Sequence, residues 1–481
     1  MSKRRVAGTV LAFSVPIAWL LVTAPFAPTA AQATRQTGSP PSQANTPRTI
    51  DATTKPGQPW TARPTRTMAD LPSLPIDLDL DAYGGLRTMK GKATGYFHTE
   101  QSGSRWWLVT PDGGFFLHVG VNSVAPVRTP RGEGAMRDRF GTPAAWAERT
   151  TKMLREHGFK GVGAWSDTER LRPLDRPLVQ TRMWNFMSTF GKQRGGTRQD
   201  PGHTGYPNDC PFFFDPAFET FSDAHARQLA ASKDDPWLLG HFSDNELPWK
   251  RTLLDGCLTL PPEEPGQQAA VAWLRQRRGP TAGAANVSEA DQADFLGFAA
   301  SRYFRIVSAA IRKYDPNHLY LGARFNGQTL RLPEVFRAAG PYLDVVSVNY
   351  YSAWTPDPER LAMWEHESGK PIIITEWYAK GADSGMANTT GAGWLVKTQR
   401  DRGWFYQNFA LALLESRVCV GWHWFKYADN DPTDTKADPS NLDSNKGIVS
   451  ADYTPWVDLL AAMKALNDRT YSLVNHMDRT R

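Results

Sequence analysis

Two glutamates stand out by where they fall. Glu246 belongs to the stretch Ser243-Asp244-Asn245-Glu246-Leu247-Pro248-Trp249, which follows the apolar run Trp237–Phe242. Glu376 follows the β-branched run Pro371-Ile372-Ile373-Ile374-Thr375 directly and is itself followed by Trp377-Tyr378. A pair of strand-end carboxylates suits cleavage of a glycosidic bond. One acid protonates the leaving oxygen while the other attacks the anomeric carbon or activates water. Each could instead be a strand-end Glu in its own salt bridge. The Asn before the first and the aromatic residues around both favour the chemical reading.

Such a pair is useful only if the fold brings both groups together. From about residue 80 onward, short apolar runs alternate with helical patterns. The expected strands are 115–121, 159–165, 178–185, 237–242, 318–325, 344–351, 371–375 and 418–425. Helices are expected over 143–157, 218–231, 289–313, 394–416 and 455–466, with a long excursion from Lys250 to Ala290. Eight strands separated by helices point to an α/β fold, a (β/α)8 TIM barrel with loop insertions. A doubly wound open sheet would usually show a Gly-rich phosphate turn after its first strand, and the sequence has none. In a barrel the functional groups belong at the C-terminal ends of strands.

That rule selects the remaining candidates. Asn122, Trp165, Asp167, Trp184 and Arg324 fall at the ends of the first, second, third and fifth strands. The sixth strand ends in Asn349-Tyr350-Tyr351, the seventh runs into Trp377, and the eighth carries Trp422 and Trp424. These residues, with Asn245, are expected to bind substrate. Each has a bland alternative, a polar residue bracing a loop or a Trp packed in the core.

The arrangement resembles glycoside hydrolase clan A, the retaining (β/α)8 glycosidases with Asn-Glu after strand four and Glu after strand seven. The resemblance implies that Glu246 is the acid/base and Glu376 the nucleophile. It also implies that Asn245 hydrogen-bonds the sugar 2-hydroxyl, and that a Tyr after strand six holds the nucleophile. The Asn-x-Tyr spacing favours Tyr351, with Tyr350 the alternative. A Trp on strand eight would floor the subsite at the cleavage point, Trp424 ahead of Trp422. Within the clan the chain looks most like family 50, the β-agarases. The matching stretches are Arg105–Gly113, Phe242–Glu246, Thr375-Glu376, Ala382–Met386 and Gly421–Asp429. Trp377-Tyr378-Ala379-Lys380 and Asp443–Ile448 depart from the family pattern. The departures leave the substrate open between an agarose-type galactan and another β-galactoside, a β-glucan or a mannan. A non-catalytic carbohydrate-binding barrel is the reading from another class. Nothing in the chemistry requires a metal or an organic cofactor.

Composition agrees with a sugar-binding exported protein. The chain has 481 residues, 18 of them Trp, and a flat indole with one N–H suits a sugar face. A net charge of +6 comes from scattered Lys and Arg with no basic-aromatic motif, so nucleic acid is not the expected partner. The expected partner is a poly- or oligosaccharide. Lys3-Arg4-Arg5, an apolar run and Ala31-Gln32-Ala33 read as a signal peptide over residues 1–33, with an uncleaved membrane anchor as the alternative. Cleavage would leave a secreted or periplasmic protein with no membrane attachment. A flexible Pro/Thr/Ser-rich linker is expected over 34–78, the catalytic domain over 79–475 and a tail over 476–481. Three cysteines make no disulfide scaffold, although Cys210 and Cys257 flank one strand and could be bridged in an oxidising compartment.

Overall fold

The computed structural model describes residues 48–480; the expected signal peptide and the first part of the expected linker lie outside them. Eight strands form one parallel sheet: β1 (His118–Val121), β2 (Gly161–Val162), β3 (Val179–Met183), β4 (Leu238–Phe242), β5 (Leu319–Tyr320), β6 (Val346–Asn349), β7 (Ile372–Glu376) and β8 (Cys419–Trp424). Their spatial order is β5-β4-β3-β2-β1-β8-β7-β6. The sheet is curled, and a single parallel bridge, Phe325↔Val348, links its two edges beyond β5. Every residue of β4, β7 and β8 is buried. This explains why these strands read as continuous apolar runs instead of alternating ones.

The intervening helices have sequence-encoded ends. Thr142 caps Pro143–Glu156, Asp357 caps Pro358–Ser368, and Gly369 closes the latter at φ +64°. Capping boxes open Glu289–Tyr314 at Ser288 and Gln399–Ser416 at Thr398. The Lys250–Ala290 excursion carries two helices, Leu253–Leu258 and Pro265–Arg278. Arg277 and Arg278 tie it to Asp291 at 2.8 Å each.

Several expectations shift. The first expected strand divides at Leu117. Gly114–Phe116 joins an antiparallel sheet with Leu86–Lys90, Arg105–Val109 and His98–Ser102, and only His118–Val121 enters the parallel sheet. The fifth shrinks because Gly322 and Arg324 take positive φ. Trp394–Val396 is a strand, not the start of a helix. The expected tail belongs to a helix, Thr470–Arg479, where Met477 is buried and Asp478 pairs with Arg105 at 2.9 Å.

The largest correction concerns the expected linker. Thr49–Thr53 pairs antiparallel with Thr61–Pro64 on one side and with Trp394–Val396 on the other. Ile50, Ala52, Thr65 and Thr67 are buried, and Trp354 donates its indole N–H to the Pro64 carbonyl at 3.0 Å. Pro, Thr and Arg masked this segment because composition does not register pairing with a strand far along the chain. Ile50→Ala should therefore destabilise the protein by about 3 kcal/mol, read from urea or thermal unfolding. An unchanged midpoint would mean the segment adds nothing to stability.

Candidate active site

At the C-terminal ends of the strands lies a cavity of about 520 Å³ lined by both Glu246 and Glu376, with Asn245, Tyr351 and Trp165 also on its wall. The chain reaches it through backbone that most side chains avoid. Ser123, Trp165, Asn185, Glu246, Arg324 and Ser352, one after each of β1 to β6, all have φ between +52° and +67°. Non-glycine residues in this left-handed region cost on the order of 1 kcal/mol or more each, and such strain clusters at functional sites.

The two glutamates are held differently. Glu376 Oε1 faces the Arg324 guanidinium at 2.7 Å, and its Oε2 accepts the Tyr351 hydroxyl at 2.5 Å. Glu246 Oε1 accepts from the Asn349 side-chain amide at 2.7 Å, and Thr375 Oγ1 fixes that amide by donating to Asn349 Oδ1 at 2.8 Å. Asn245 joins the two halves. Its Oδ1 accepts from Arg324 at 2.8 Å and from Asn349 at 3.3 Å, while its amide donates to the Gly202 carbonyl at 3.2 Å.

Electrostatics separate their roles. Burial, and then the charge of Glu376, push the Glu246 carboxyl well above its ordinary range. Glu246 thus favours its protonated form, while Glu376 faces the Arg324 guanidinium. Burial and the same Glu376 charge push the Tyr351 hydroxyl up, so it remains a donor.

The other expected site residues divide into two groups. Arg324 and Asn349 are fully buried and stand behind the carboxylates without lining the cavity. Arg324 lies under the half-exposed Trp165 ring, 4.2 Å from its centroid. The remainder are not at the cavity. Asn122 is buried and donates to the Thr375 carbonyl at 2.6 Å. Asp167 pairs with Arg170. Trp184 donates to His241 Nδ1 at 2.9 Å. Tyr350 packs on Trp364 and Phe409. Trp377 stacks on Phe409, ring centroids 4.3 Å apart. Trp422 donates to the Tyr406 hydroxyl at 2.8 Å, and Trp424 to the Lys446 carbonyl at 2.8 Å.

A single error of phase explains the last four. Side chains alternate along a strand, and on β8 His423 contacts His118 of the neighbouring strand while Trp422 and Trp424 meet the helix Gln399–Ser416. The parity of His423 carries on to Phe425, and that of Glu376 to Tyr378; both of these aromatic residues line the cavity. Sequence reasoning missed them, although alternation could have found them. It had no signal for the loop residues His203, Asp438, Ser440 and Asn441, or for Lys426 and Lys446, which complete the wall. No residue of the 250–290 excursion lines it.

Among the described residues, His241, Asp315 and His318 could converge on a metal. They are instead hydrogen-bonded to one another at 2.8 Å and, through His241, support Trp184. Cys210 and Cys257 are free, buried thiols.

The chain is similar to two beta-agarases in sequence and shares its fold with solved structures. Beta-agarase B of Vibrio sp. (strain JT0107) is 28% identical over 488 residues, 81% of this chain and 50% of that protein. Beta-agarase A of the same strain is 27% identical over 387 residues, 69% of this chain and 37% of that protein. The chain thus spans half the length, or less, of these curated relatives. Among solved structures, BpGH50 superposes with a TM-score of 0.79 at 27% identity, covering 90% of this chain and 96% of that one. The structure of an exo-beta-agarase shares the fold with a TM-score of 0.69 at 22% identity, over 83% of this chain and 68% of that one. No protein-family model matches the chain.

The raised Glu246 carboxyl has a consequence for stability. A group whose folded pKa lies above its unfolded value of 4.5 contributes stability below that value and loses it as pH rises through the folded pKa. Glu246→Gln, which keeps an acceptor for Asn349, should match the parent near pH 4. It should become more stable than the parent at alkaline pH, by on the order of 5 kcal/mol. Unfolding curves at the two pH values check this, and a constant difference between them would contradict it.

Proposed function

We propose that the chain is a retaining glycoside hydrolase acting on β-glycosidic bonds of a galactan-type polysaccharide, in the manner of a β-agarase. The observation that carries the reading is two carboxyl groups facing one cavity, Glu376 paired with the Arg324 guanidinium and Glu246 held by the neutral amide of Asn349. In the first step Glu376 Oε attacks the anomeric carbon, and Glu246 gives its proton to the departing glycosidic oxygen. The bond to that oxygen breaks as the glycosyl ester forms. In the second step Glu246, now a carboxylate, takes a proton from water as the water displaces Glu376. Tyr351 and Arg324 hold Glu376 in position for attack. Asn245, already oriented by Arg324, presents its amide to the sugar 2-hydroxyl, an interaction that tightens as positive charge develops on the ring.

In this reading the curled sheet is a (β/α)8 barrel, supported by the Phe325↔Val348 bridge between its edges. The substrate class rests on the similarity to the two Vibrio β-agarases. Export rests on the N-terminal basic, apolar and Ala-Gln-Ala segments, and no helix among the described residues is long and apolar enough to cross a membrane.

Four measurements test this reading. Purified protein incubated with agarose, porphyran, β-galactans, β-glucans and mannans should release oligosaccharides from a galactan, read by mass. Activity confined to a glucan or a mannan would move the enzyme to a sister specificity. The first sugar released should keep its anomeric configuration by proton NMR, and inversion would refute the double displacement. Glu376→Gln should lose roughly 10⁴-fold or more in kcat with its fold intact. Glu246→Ala should regain turnover of activated aryl glycosides when azide is added, and failure of that rescue would remove Glu246 from the acid/base role.

A further inference from the structure

Two lysines on the cavity wall have no part in the chemistry above. Lys446 is 2% exposed. Its ammonium donates to the Ser440 carbonyl at 2.8 Å and to Asn441 Oδ1. It stands 4.8 Å from the centroid of the Tyr378 ring and 5.4 Å from that of Phe425. Lys426, next along the chain from Phe425, is half-buried and donates to Asn430 Oδ1. All these partners are neutral, and neither ammonium forms an ion pair among the described residues.

The carboxylates nearby, Asp429, Asp434, Asp438 and Glu376, are already engaged; Asp434 accepts from Lys436 N at 2.9 Å. Asp438 accepts from the Gly202 backbone at 3.0 and 3.1 Å and from Ser440 N at 2.8 Å, tying two loops of the wall together. Asp429 accepts from Asn445, Gly447 N and Trp456. Glu376 has Arg324. An ammonium withdrawn from water without a partner is costly, and here the two lysines also repel each other. Burial, and then Lys426, lower Lys446 well below its usual range, while burial brings Lys426 to about 8. An ammonium has three donors, so Lys426 keeps two free and Lys446 one. The cavity therefore offers aromatic faces for sugar C–H groups beside unused cationic donors.

We propose that Lys426 and Lys446 form an anion-binding subsite beside the two glutamates, and that the substrate carries a negatively charged substituent there, a sulfate ester or a carboxylate on the sugar. The proposal rests on the glycosidase reading for its substrate class and narrows that class to an anionic galactan. A neutral sugar would leave both ammoniums without a direct ion-pair partner. An anionic one accepts the three free N–H groups and pairs with both charges.

The test is a calorimetric titration of the full chain with galactose, galactose 6-sulfate and galacturonate. At least one anionic sugar should bind tenfold or more tightly than galactose, and its advantage should weaken as salt is raised. The tighter of the two names the group, sulfate or carboxylate. Lys446→Met should reduce that advantage to less than threefold, and Lys446→Arg should retain it. Equal affinity for all three sugars overturns the proposal, as does an advantage that survives Lys446→Met and Lys426→Met together. Should Lys446→Met fail to fold, the comparison of the three sugars on the unaltered chain still decides. Hydrolysis plays no part in this titration, so loss of the glycosidase reading and loss of the anion subsite are separate results.

Discussion

The site depends on one buried guanidinium. Two carboxyl groups facing the same cavity repel each other when both are charged, and burial strengthens that repulsion by removing water. Arg324, with no exposed surface, meets Glu376 at 2.7 Å and Asn245 at 2.8 Å. Its charge is nearest Glu376 and acts on Glu246 only behind burial and the Glu376 charge. Glu376 gains a fixed cation, and Glu246, which has only the neutral amide of Asn349, responds to burial and to its neighbour by holding a proton. The supports, not the glutamates themselves, make the two positions unlike: a guanidinium faces Glu376 and a neutral amide faces Glu246. The supports come from the strands between β4 and β7, which is why the curl of the sheet matters. It brings Arg324 after β5 and Asn349 at the end of β6 into the space between two glutamates far apart in the chain.

Much of this was legible in the sequence, for a physical reason. Strands buried on both faces must be apolar throughout, so β4, β7 and β8 announced themselves. Glu246 and Glu376 were conspicuous as charges breaking those runs. Asn245 and Tyr351 were also readable, the latter from its spacing to Asn349. What failed was direction. A run such as Gly421-Trp422-His423-Trp424-Phe425 hides its own alternation, because every position is large or buried. Tryptophan was chosen for the cavity where the smaller Phe425 reaches it. The conspicuous Trp377, Trp422 and Trp424 lie with the helix Gln399–Ser416 and join the helix to the sheet.

Loops were the other blind spot. The cavity wall includes the hairpin around Gly202 and His203 and the segment around Asp438 to Asn441, which meet through hydrogen bonds to Asp438. Neither carries a periodic signal, and their meeting is fixed only by the folded chain. The same blindness misjudged residues 48–64. A strand whose partners are its own hairpin mate and Trp394–Val396 leaves almost no mark in local composition.

The left-handed residues after β1 to β6 carry a further implication for anyone engineering this chain. Each is a point where glycine would relax the backbone, so a search for stabilising substitutions by local strain alone would select Trp165, Glu246 and Arg324 among its first choices. Those are the side chains that form and charge the cavity. Ser352 shares the same conformation without lining the cavity. The safe gains in stability are to be sought there and in the helices. At the strand ends that bear glutamate, arginine and tryptophan, relief of backbone strain would come at the expense of the cavity.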